Sequence, residues 1–205
     1  MDNADALNAD PGGIPPLDSS ESDGKPPTRC VIFGADHAGR SLMAKLAARA
    51  EAAGFDVRVQ GVDGADAKVD YPDAKVDYPD CVDKVVRYLL TLPCPSGREP
   101  FAVLVCGTGM GMCMGANRFS TIRAAVCRTT ADAVLTRGHN DANVLCLGAR
   151  GEAGGDGAVQ GHLATAETIF DAFAITPYEG GRHDRRLRKL FRLNRGWEIL
   201  KRPRR

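Results

Sequence analysis

Cys106 is the residue best placed for chemistry, because it ends an apolar run and begins a glycine-rich stretch. The run Phe101–Val105 predicts a buried strand, which would put Cys106 at the strand's carboxyl end, where parallel sheets bind ligands. The glycines that follow let backbone N–H groups approach an anion, and a helix beginning near Gly111 would add its positive dipole end. A thiol at such a place is a candidate nucleophile or base. The alternative is a small buried apolar side chain, which is the usual role of a lone cysteine.

His37 and His139 are the two histidines whose positions suggest catalysis. His37 follows the first predicted strand, and His139 belongs to a polar turn, 138–142, expected between a helix and a strand. We expect both turns at the sheet edge that carries Cys106. A thiol and an imidazole at one site can divide proton transfers, because their pKa values straddle neutral pH. The alternative is that both histidines are simply solvated.

The glycine-rich loop does not match the two best-known nucleotide motifs. The dinucleotide fingerprint needs a glycine where Met112 stands, and the Lys-Ser/Thr pair of a P-loop is missing. The four histidines form no i, i+4 pair on a predicted helix, which argues against a zinc site. We therefore predict neither a metal nor a redox cofactor.

Arg182 and Arg186 are four residues apart in a basic segment predicted to be a helix, Arg182–Leu200. On a helix this spacing can present two guanidinium groups to one phosphate. A solvated basic face is the alternative, and His183 between them could be structural or functional. The basic residues continue to Arg205, so non-specific contact with nucleic acid also stays open at this point.

Short apolar segments alternate with amphipathic ones along the chain. The predicted strands are Cys30–Gly34, Phe55–Val59, Phe101–Val105, Thr121–Cys127 and Asn143–Leu147. The other predicted helices are Ser41–Ala53, with Asp36 as a candidate N-cap, Cys81 to about Leu92, Thr130–Arg137 and Val159–Phe173. This alternation predicts an α/β domain with a parallel sheet of about five strands and helices on both faces.

Composition divides the 205 residues into a domain and two ends. Residues 1–27 are rich in Asp, Gly, Pro and Ser, which predicts a disordered leader. The domain is expected over 28–200 and a basic tail over 201–205. Residues 66–72 (DAKVDYP) recur at once as 73–79, and we interpret them as a duplicated surface loop.

Several features together predict a cytoplasmic protein. The chain has seven cysteines, no C-x-x-C pair, no signal-like amino terminus and no apolar stretch long enough for a membrane helix. Its formal net charge of +1 points to no nucleic-acid or membrane partner.

Seven short motifs, in order over residues 30 to about 190, resemble the type B ribose-5-phosphate isomerases, a family that includes the galactose-6-phosphate isomerase subunits. The matching pieces are GADHAG (34–39), DYPD (77–80), CGTGMGM with a following AN (106–117), IRAA (122–125), HNDANVL (139–145), LGAR (147–150) and YEGGRH (178–183). The resemblance implies a single Rossmann-like three-layer domain that acts as a homodimer with active sites shared between subunits, and it leaves open whether dimers pair into tetramers.

The resemblance also implies roles for individual residues. Cys106 matches the base that moves a proton between C1 and C2 through a cis-enediolate, and His139 matches the residue that opens the furanose ring. Some members use a glutamate where this chain has Met112, which cannot titrate. Thr108 would join the catalytic network. The residues that match substrate contacts are Asp36, His37, Gly107, Gly109, Met110, Gly111, Asn117 and Asn140, and those that match phosphate-binding arginines are Arg150, Arg182 and Arg186.

The activity that follows from the resemblance is metal-independent interconversion of ribose 5-phosphate and ribulose 5-phosphate in the pentose phosphate pathway. Three alternatives stay open: an isomerase of a six-carbon aldose phosphate such as allose or galactose 6-phosphate, a thiol hydrolase using Cys106 and His139, and a non-enzymatic binder of sugar phosphate or nucleic acid. The duplicated loop leaves the range of substrates open.

Overall fold

The computed structural model describes residues 29–60, 76–92, 99–150 and 156–193. The predicted leader 1–27, the first copy of the duplicated segment and the predicted tail 201–205 lie outside the described residues. The expected boundaries of the domain therefore stay predictions.

Within the described part of the chain, five parallel strands form one sheet, as the alternating pattern predicted. The strands are β1 (Cys30–Ala35), β2 (Asp56–Val59), β3 (Phe101–Cys106), β4 (Ala124–Val126) and β5 (Val144–Gly148). Their order across the sheet is β2-β1-β3-β5-β4, and every neighbouring pair is parallel. Strand β2, which follows β1, lies on one side of it, and the strands that follow β3 lie on the opposite side of the sheet. The switch point of this doubly wound sheet is therefore between β1 and β3.

The described residues contain six α-helices, five of which cover the two faces of the sheet and confirm the three-layer α/β class. They are α1 (Arg40–Ala52), α2 (Tyr78–Thr91), α3 (Met110–Ala116), α4 (Thr130–Asn140), α5 (Asp156–Ile175) and α6 (Asp184–Leu193), with a 3-10 turn (Gly181–His183) before the last. Helices α1, α4 and α5 pack on one face, and α2 and α3 on the other. No helix in the described ranges has both the length and the apolar character needed to span a bilayer.

Phe170 of α5 lies at the centre of the larger apolar layer. Its ring is fully buried, and its centroid lies 5.9 Å from that of Phe33, 6.1 Å from Phe55 and 6.2 Å from Phe101. Rings at these separations add edge and offset contacts to the area that they bury. This cluster attaches α5 to the middle of the sheet.

Two helix boundaries differ from prediction for identifiable reasons. Helix α2 begins at Tyr78 rather than Cys81, because Pro79 occupies the first helical turn, where its missing N–H costs nothing. Helix α4 continues through Asn140 rather than ending at Arg137, and it ends at Asp141, whose φ is 47°. An aspartate tolerates this left-handed conformation better than most residues, so the helix ends there without a glycine.

We expect Phe170→Ala to lower the free energy of unfolding by about 3–5 kcal/mol, since it removes a fully buried aromatic ring and leaves a cavity. Lys45→Ala on the exposed face of α1 is the control and should change it by less than about 0.5 kcal/mol. Urea unfolding followed by circular dichroism measures both. Equal effects of the two substitutions would contradict the assignment of Phe170 to the core.

Candidate active site

Cys106 ends β3 at the switch point of the sheet. Its side chain is almost buried, with 5% of the residue exposed, and its Sγ accepts a hydrogen bond of 3.1 Å from the backbone N–H of Gly109. Gly109 has a φ of 76°, a conformation that glycine adopts without strain. The backbone donor thus fixes the position of the sulfur beside the loop.

The loop after Cys106 is held against the end of β5. The N–H of Ala149 donates to the carbonyl of Cys106 at 2.8 Å, and the N–H of Arg150 donates to that of Gly107 at 3.0 Å. The guanidinium of Arg150 covers Gly107 so closely that a Cβ there would lie 3.1 Å from Nε. The structure thus brings a predicted phosphate-binding arginine beside the loop that carries the thiol.

Asp36 and His37 follow β1 at the same edge. The N–H of Asp36 donates to the carbonyl of Val105 at 3.2 Å, and a Cβ on Gly39 would come within 2.3 Å of that oxygen. The prediction that Asp36 caps α1 is wrong, because the N-cap residue is Gly39. Oδ1 of Asp36 instead accepts from the N–H groups of Ala38 and Gly39, which tightens the turn and leaves the His37 side chain exposed.

The other predicted loop residues divide into two groups. Thr108, Met110 and Gly111 belong to the stretch 107–111 after Cys106, which we call the thiol loop. Thr108 is exposed, and the ring of Tyr78 lies 3.0 Å from where a Cβ of Gly111 would be. Asn117, by contrast, stands at the far end of α3. Its amide donates to the carbonyl of Ala124 and accepts from the N–H of the same residue, both at 2.9 Å. Asn117 therefore has a visible structural role, which is to attach α3 to β4.

His139 and Asn140 do not lie at the edge that carries Cys106, and the expectation that both histidine turns share that edge is wrong for His139. Both residues belong to the last turn of α4, which precedes β5, so they lie near the amino ends of the strands. Val144 at the start of β5 pairs with Ala102, whereas Cys106 pairs with Gly148. Four strand residues correspond to about 13 Å, so one chain alone keeps its Cys106 and His139 apart.

His139 belongs to a second cluster, formed with Glu179 and His183. The two imidazole rings stack, with centroids 4.3 Å apart and planes at 11°. Nε2 of His139 lies 3.7 Å from Glu179, and Nε2 of His183 lies 3.5 Å from the same carboxylate. Glu179 was not predicted as a site residue, although it stands within the YEGGRH motif. It reaches the histidines because Gly138 has no side chain: a Cβ there would lie 2.8 Å from Oε1 of Glu179.

The predicted phosphate-binding pair, Arg182 and Arg186, meets this second cluster rather than the thiol loop. Arg182 lies in the 3-10 turn and Arg186 in α6, not on one continuous helix as predicted. Nε of Arg182 donates to Nε2 of His183 at 3.1 Å, and Nη1 of Arg186 lies 3.5 Å from Nδ1. Burial lowers the pKa of His183, and the nearby His139 and Arg182 lower it further, so its imidazole is neutral near pH 7.

The same three side chains could be considered as a metal site, since one ligand atom of each lies within 4.8 Å of the others. The geometry does not fit this role. A metal must lie close to the plane of each imidazole that binds it, about 2.0–2.1 Å from the nitrogen. Two rings stacked face to face 4.3 Å apart cannot both meet that condition without separating. The cluster is therefore better suited to exchange protons and bind an anion.

Comparison with known proteins identifies the family. The model of the Ribose/Galactose Isomerase family matches residues 31–190. The chain belongs to the ribose/galactose isomerase family. Among its relatives, the Escherichia coli protein named ribose-5-phosphate isomerase B is 34% identical over 157 residues, which cover 77% of this chain and 91% of that protein.

Solved structures of the ribose/galactose isomerase family share the fold. Ribose 5-phosphate isomerase B from Anaplasma phagocytophilum is 39% identical, with a TM-score of 0.63 over 82% of this chain and 99% of that one. The Mycoplasma genitalium enzyme, solved with bound ribulose-5-phosphate, is 30% identical, with a TM-score of 0.65 over 82% of this chain and 97% of that one. The similarity therefore covers nearly the whole of each relative.

Cys113 is a thiol with a lowered pKa in this member of the ribose/galactose isomerase family. It lies on α3, one turn beyond the thiol loop, and is half-buried. A hydrogen bond with the Cys146 thiol, helped by the Asn117 amide, lowers its pKa to about 7 against the opposing effect of burial. Burial raises the pKa values of Cys81 and Cys127 to about 12. Sequence reasoning missed this difference because it depends on contacts between α3 and β5.

We expect iodoacetamide to label Cys113 with a rate that rises through a midpoint near pH 7, because only the thiolate reacts and its fraction grows above the pKa. Cys127 is the control and should stay almost unlabelled below pH 9, since it is buried with a raised pKa. Peptide mass spectrometry over a pH series measures both rates. Labelling of Cys113 no faster than that of Cys127 at pH 8 would contradict the lowered pKa.

Proposed function

We propose that this protein interconverts ribose 5-phosphate and ribulose 5-phosphate. The observation that carries the proposal is the placement of Cys106 at the end of β3, with Sγ accepting from the loop N–H at 3.1 Å. Relatives named ribose-5-phosphate isomerase B, one of them solved with ribulose-5-phosphate bound, support this substrate. The reaction moves hydrogen between two carbons of one molecule and leaves no net oxidation, so it needs no redox cofactor; the family resemblance implies that it also proceeds without a metal.

The thiolate of Cys106 acts as the base in this proposal. It takes the proton from C2 of the open-chain aldose, and the electrons of that C–H bond form the enediolate. The thiol then returns the proton to C1, while a proton passes from the C2 hydroxyl to the C1 oxygen, which leaves the C2 carbonyl of the ketose. Met112, whose side chain is fully buried and cannot titrate, leaves the sulfur as the base of this loop. Backbone N–H groups of the loop and the Thr108 hydroxyl stabilise the charge that develops on the substrate oxygens.

Binding and ring opening engage the remaining predicted residues. His139 moves the proton that opens the furanose ring, and Asn140, Asp36 and His37 contact the sugar hydroxyls. Arg150, Arg182 and Arg186 bind the phosphate, and the binding energy they supply orients the reacting carbons above Cys106. These roles follow from the family resemblance, and the charges of the side chains suit each of them.

A second copy of the chain completes each active site. Within one chain about 13 Å of sheet separates the edge of Cys106 from the edge of His139, more than a pentose phosphate can bridge with both groups at hydrogen-bond distance. In a two-fold dimer the His139 and Arg182 cluster of one copy can face the Cys106 loop of the other, which yields two equivalent sites. We propose this cytoplasmic homodimer as the functional unit.

A six-carbon aldose phosphate is the alternative substrate, and the family name itself includes galactose. Tyr78 lies against Gly111 beside the thiol loop, so the second copy of the duplicated segment contributes to the rim of the site. The relative kcat/KM for ribose 5-phosphate, allose 6-phosphate and galactose 6-phosphate decides between them. Negligible turnover of ribose 5-phosphate would contradict the proposal that the substrate is a five-carbon sugar phosphate.

We expect Cys106→Ala to lower kcat for ribulose 5-phosphate formation by about 10²–10⁴-fold, because the base of the proton transfer is removed. Calorimetric affinity for ribose 5-phosphate should change little, since the phosphate contacts remain. Cys127→Ala, which removes a buried thiol just after β4, is the matched control and should keep its kcat. Unchanged kcat in Cys106→Ala, or a trapped acyl-enzyme with ester substrates, would favour a binder or a thiol hydrolase instead.

We also expect two inactive variants to restore activity when mixed. Cys106→Ala and His139→Ala, unfolded together and refolded at equal amounts, should recover about a quarter of wild-type activity: random pairing makes half of the dimers mixed, and each mixed dimer has one intact site of two. Refolding Cys106→Ala with the double variant Cys106→Ala/His139→Ala is the control and should restore nothing. Failure of the first mixture, with mixed dimers shown by mass spectrometry, would place the whole site within one chain.

A further inference from the structure

A cavity of about 640 Å³ opens at the amino-terminal edge of the sheet, the edge opposite Cys106. Residues that directly precede strands form one side of it, and the ends of α1 and α5 form the other. The residues that carry the argument below are Arg29, Phe55, Glu99, Arg137, Asp141 and Ile175. The proposed substrate contacts leave this cavity unused, because none of those residues lines it.

Arg137 places a buried cation in the wall of this cavity. It is 92% buried, and Nη1 donates to Asp141 and to the carbonyl of Ala142. Its Nε is also buried and has no hydrogen-bond partner among the described residues. A buried N–H of a charged group without an acceptor costs free energy, so this donor favours any acceptor that can enter the cavity.

Charged side chains of both signs line the cavity. Asp141 binds Arg137 at 3.2 Å and also Arg123 at 2.7 Å, so one carboxylate serves two guanidinium groups. Arg29 adds a third cation, and its donors bind the backbone carbonyls of Glu99 and Ala174 at 2.8 Å. The charged residues that line the cavity are two cations, Arg29 and Arg137, and two anions, Glu99 and Asp141. Because Asp141 is shared with Arg123, which lies outside the lining, its carboxylate neutralises Arg137 only in part.

Another part of the wall is apolar. Phe55, Ile175 and the ring of Tyr178 line the cavity, and Ile175 is 42% exposed. A ligand that fits both parts has one oxyanion head and a compact apolar or ring-shaped body.

We propose that this cavity is a binding site for a small organic anion, a carboxylate or phosphate monoester on an apolar body, with its oxyanion on Arg137. Arg137 stands in the same helical turn as His139, and Tyr178 directly precedes Glu179. Occupancy of the cavity would therefore act on the side chains that flank the His139–Glu179 pair. This site is independent of the proposed sugar-phosphate reaction.

The test is calorimetric titration of the full chain with benzoate and with phenyl phosphate, in the presence of saturating ribose 5-phosphate. We expect saturable millimolar binding of at least one probe, and the tighter probe identifies the head group. Ile175→Trp, which fills the cavity from an exposed position, should weaken binding by about tenfold or more. Glu99→Gln, which removes a repulsive charge from an exposed position, should strengthen it about two- to fivefold.

Glu51→Gln, which neutralises an exposed carboxylate of α1 that does not line the cavity, is the matched control and should leave the affinity unchanged. Arg137→Lys keeps the charge and removes the Nε donor, and it should weaken binding if it folds. The proposal is overturned by any of three results: no saturable binding of either probe, displacement of both probes by ribose 5-phosphate, or equal affinity in wild type, Ile175→Trp and Glu99→Gln.

Discussion

The parallel pairing of β3 with β1 on one side and β5 on the other is the constraint on which the site depends. Because all the strands run the same way, everything that follows a strand gathers at one edge and everything that precedes a strand gathers at the other. Cys106, Asp36 and Arg150 follow β3, β1 and β5, so they meet. His139 precedes β5, so it cannot join them within the same chain.

The elements that were predicted well are those whose signals are local. Phe101–Val105 is a run of apolar residues long enough for a buried strand, and the structure extends it only by Cys106. The rule that parallel strands gather their carboxyl ends at one edge also predicts the position of His139, because its turn precedes β5. We expected it at the edge of Cys106, as if the turn followed a strand. The predicted end of helix α4 was also too early, since Gly138 and Asn140 are residue types that often interrupt a helix. A close tertiary contact with Glu179 favours the glycine there.

Residues that act through distant contacts could not be predicted from the sequence. Glu179 reaches His139 across 40 positions of chain, and the thiols of Cys113 and Cys146 meet only because α3 packs on the sheet. Arg182 and Arg186 were paired by helical spacing, and the structure instead joins them through the imidazole of His183. In each case the side-chain types suggested chemistry, but their partners depended on packing.

Gly138 also limits how the chain can vary in length. The N–H of Glu179 donates to the carbonyl of Gly138 at 3.0 Å, and four residues later His183 is buried beneath the two arginines. Only three residues connect these two anchor points, so an inserted residue between them would displace His183 or the arginines that contact it. Homologues should therefore tolerate length changes before β3 far more readily than between Glu179 and His183.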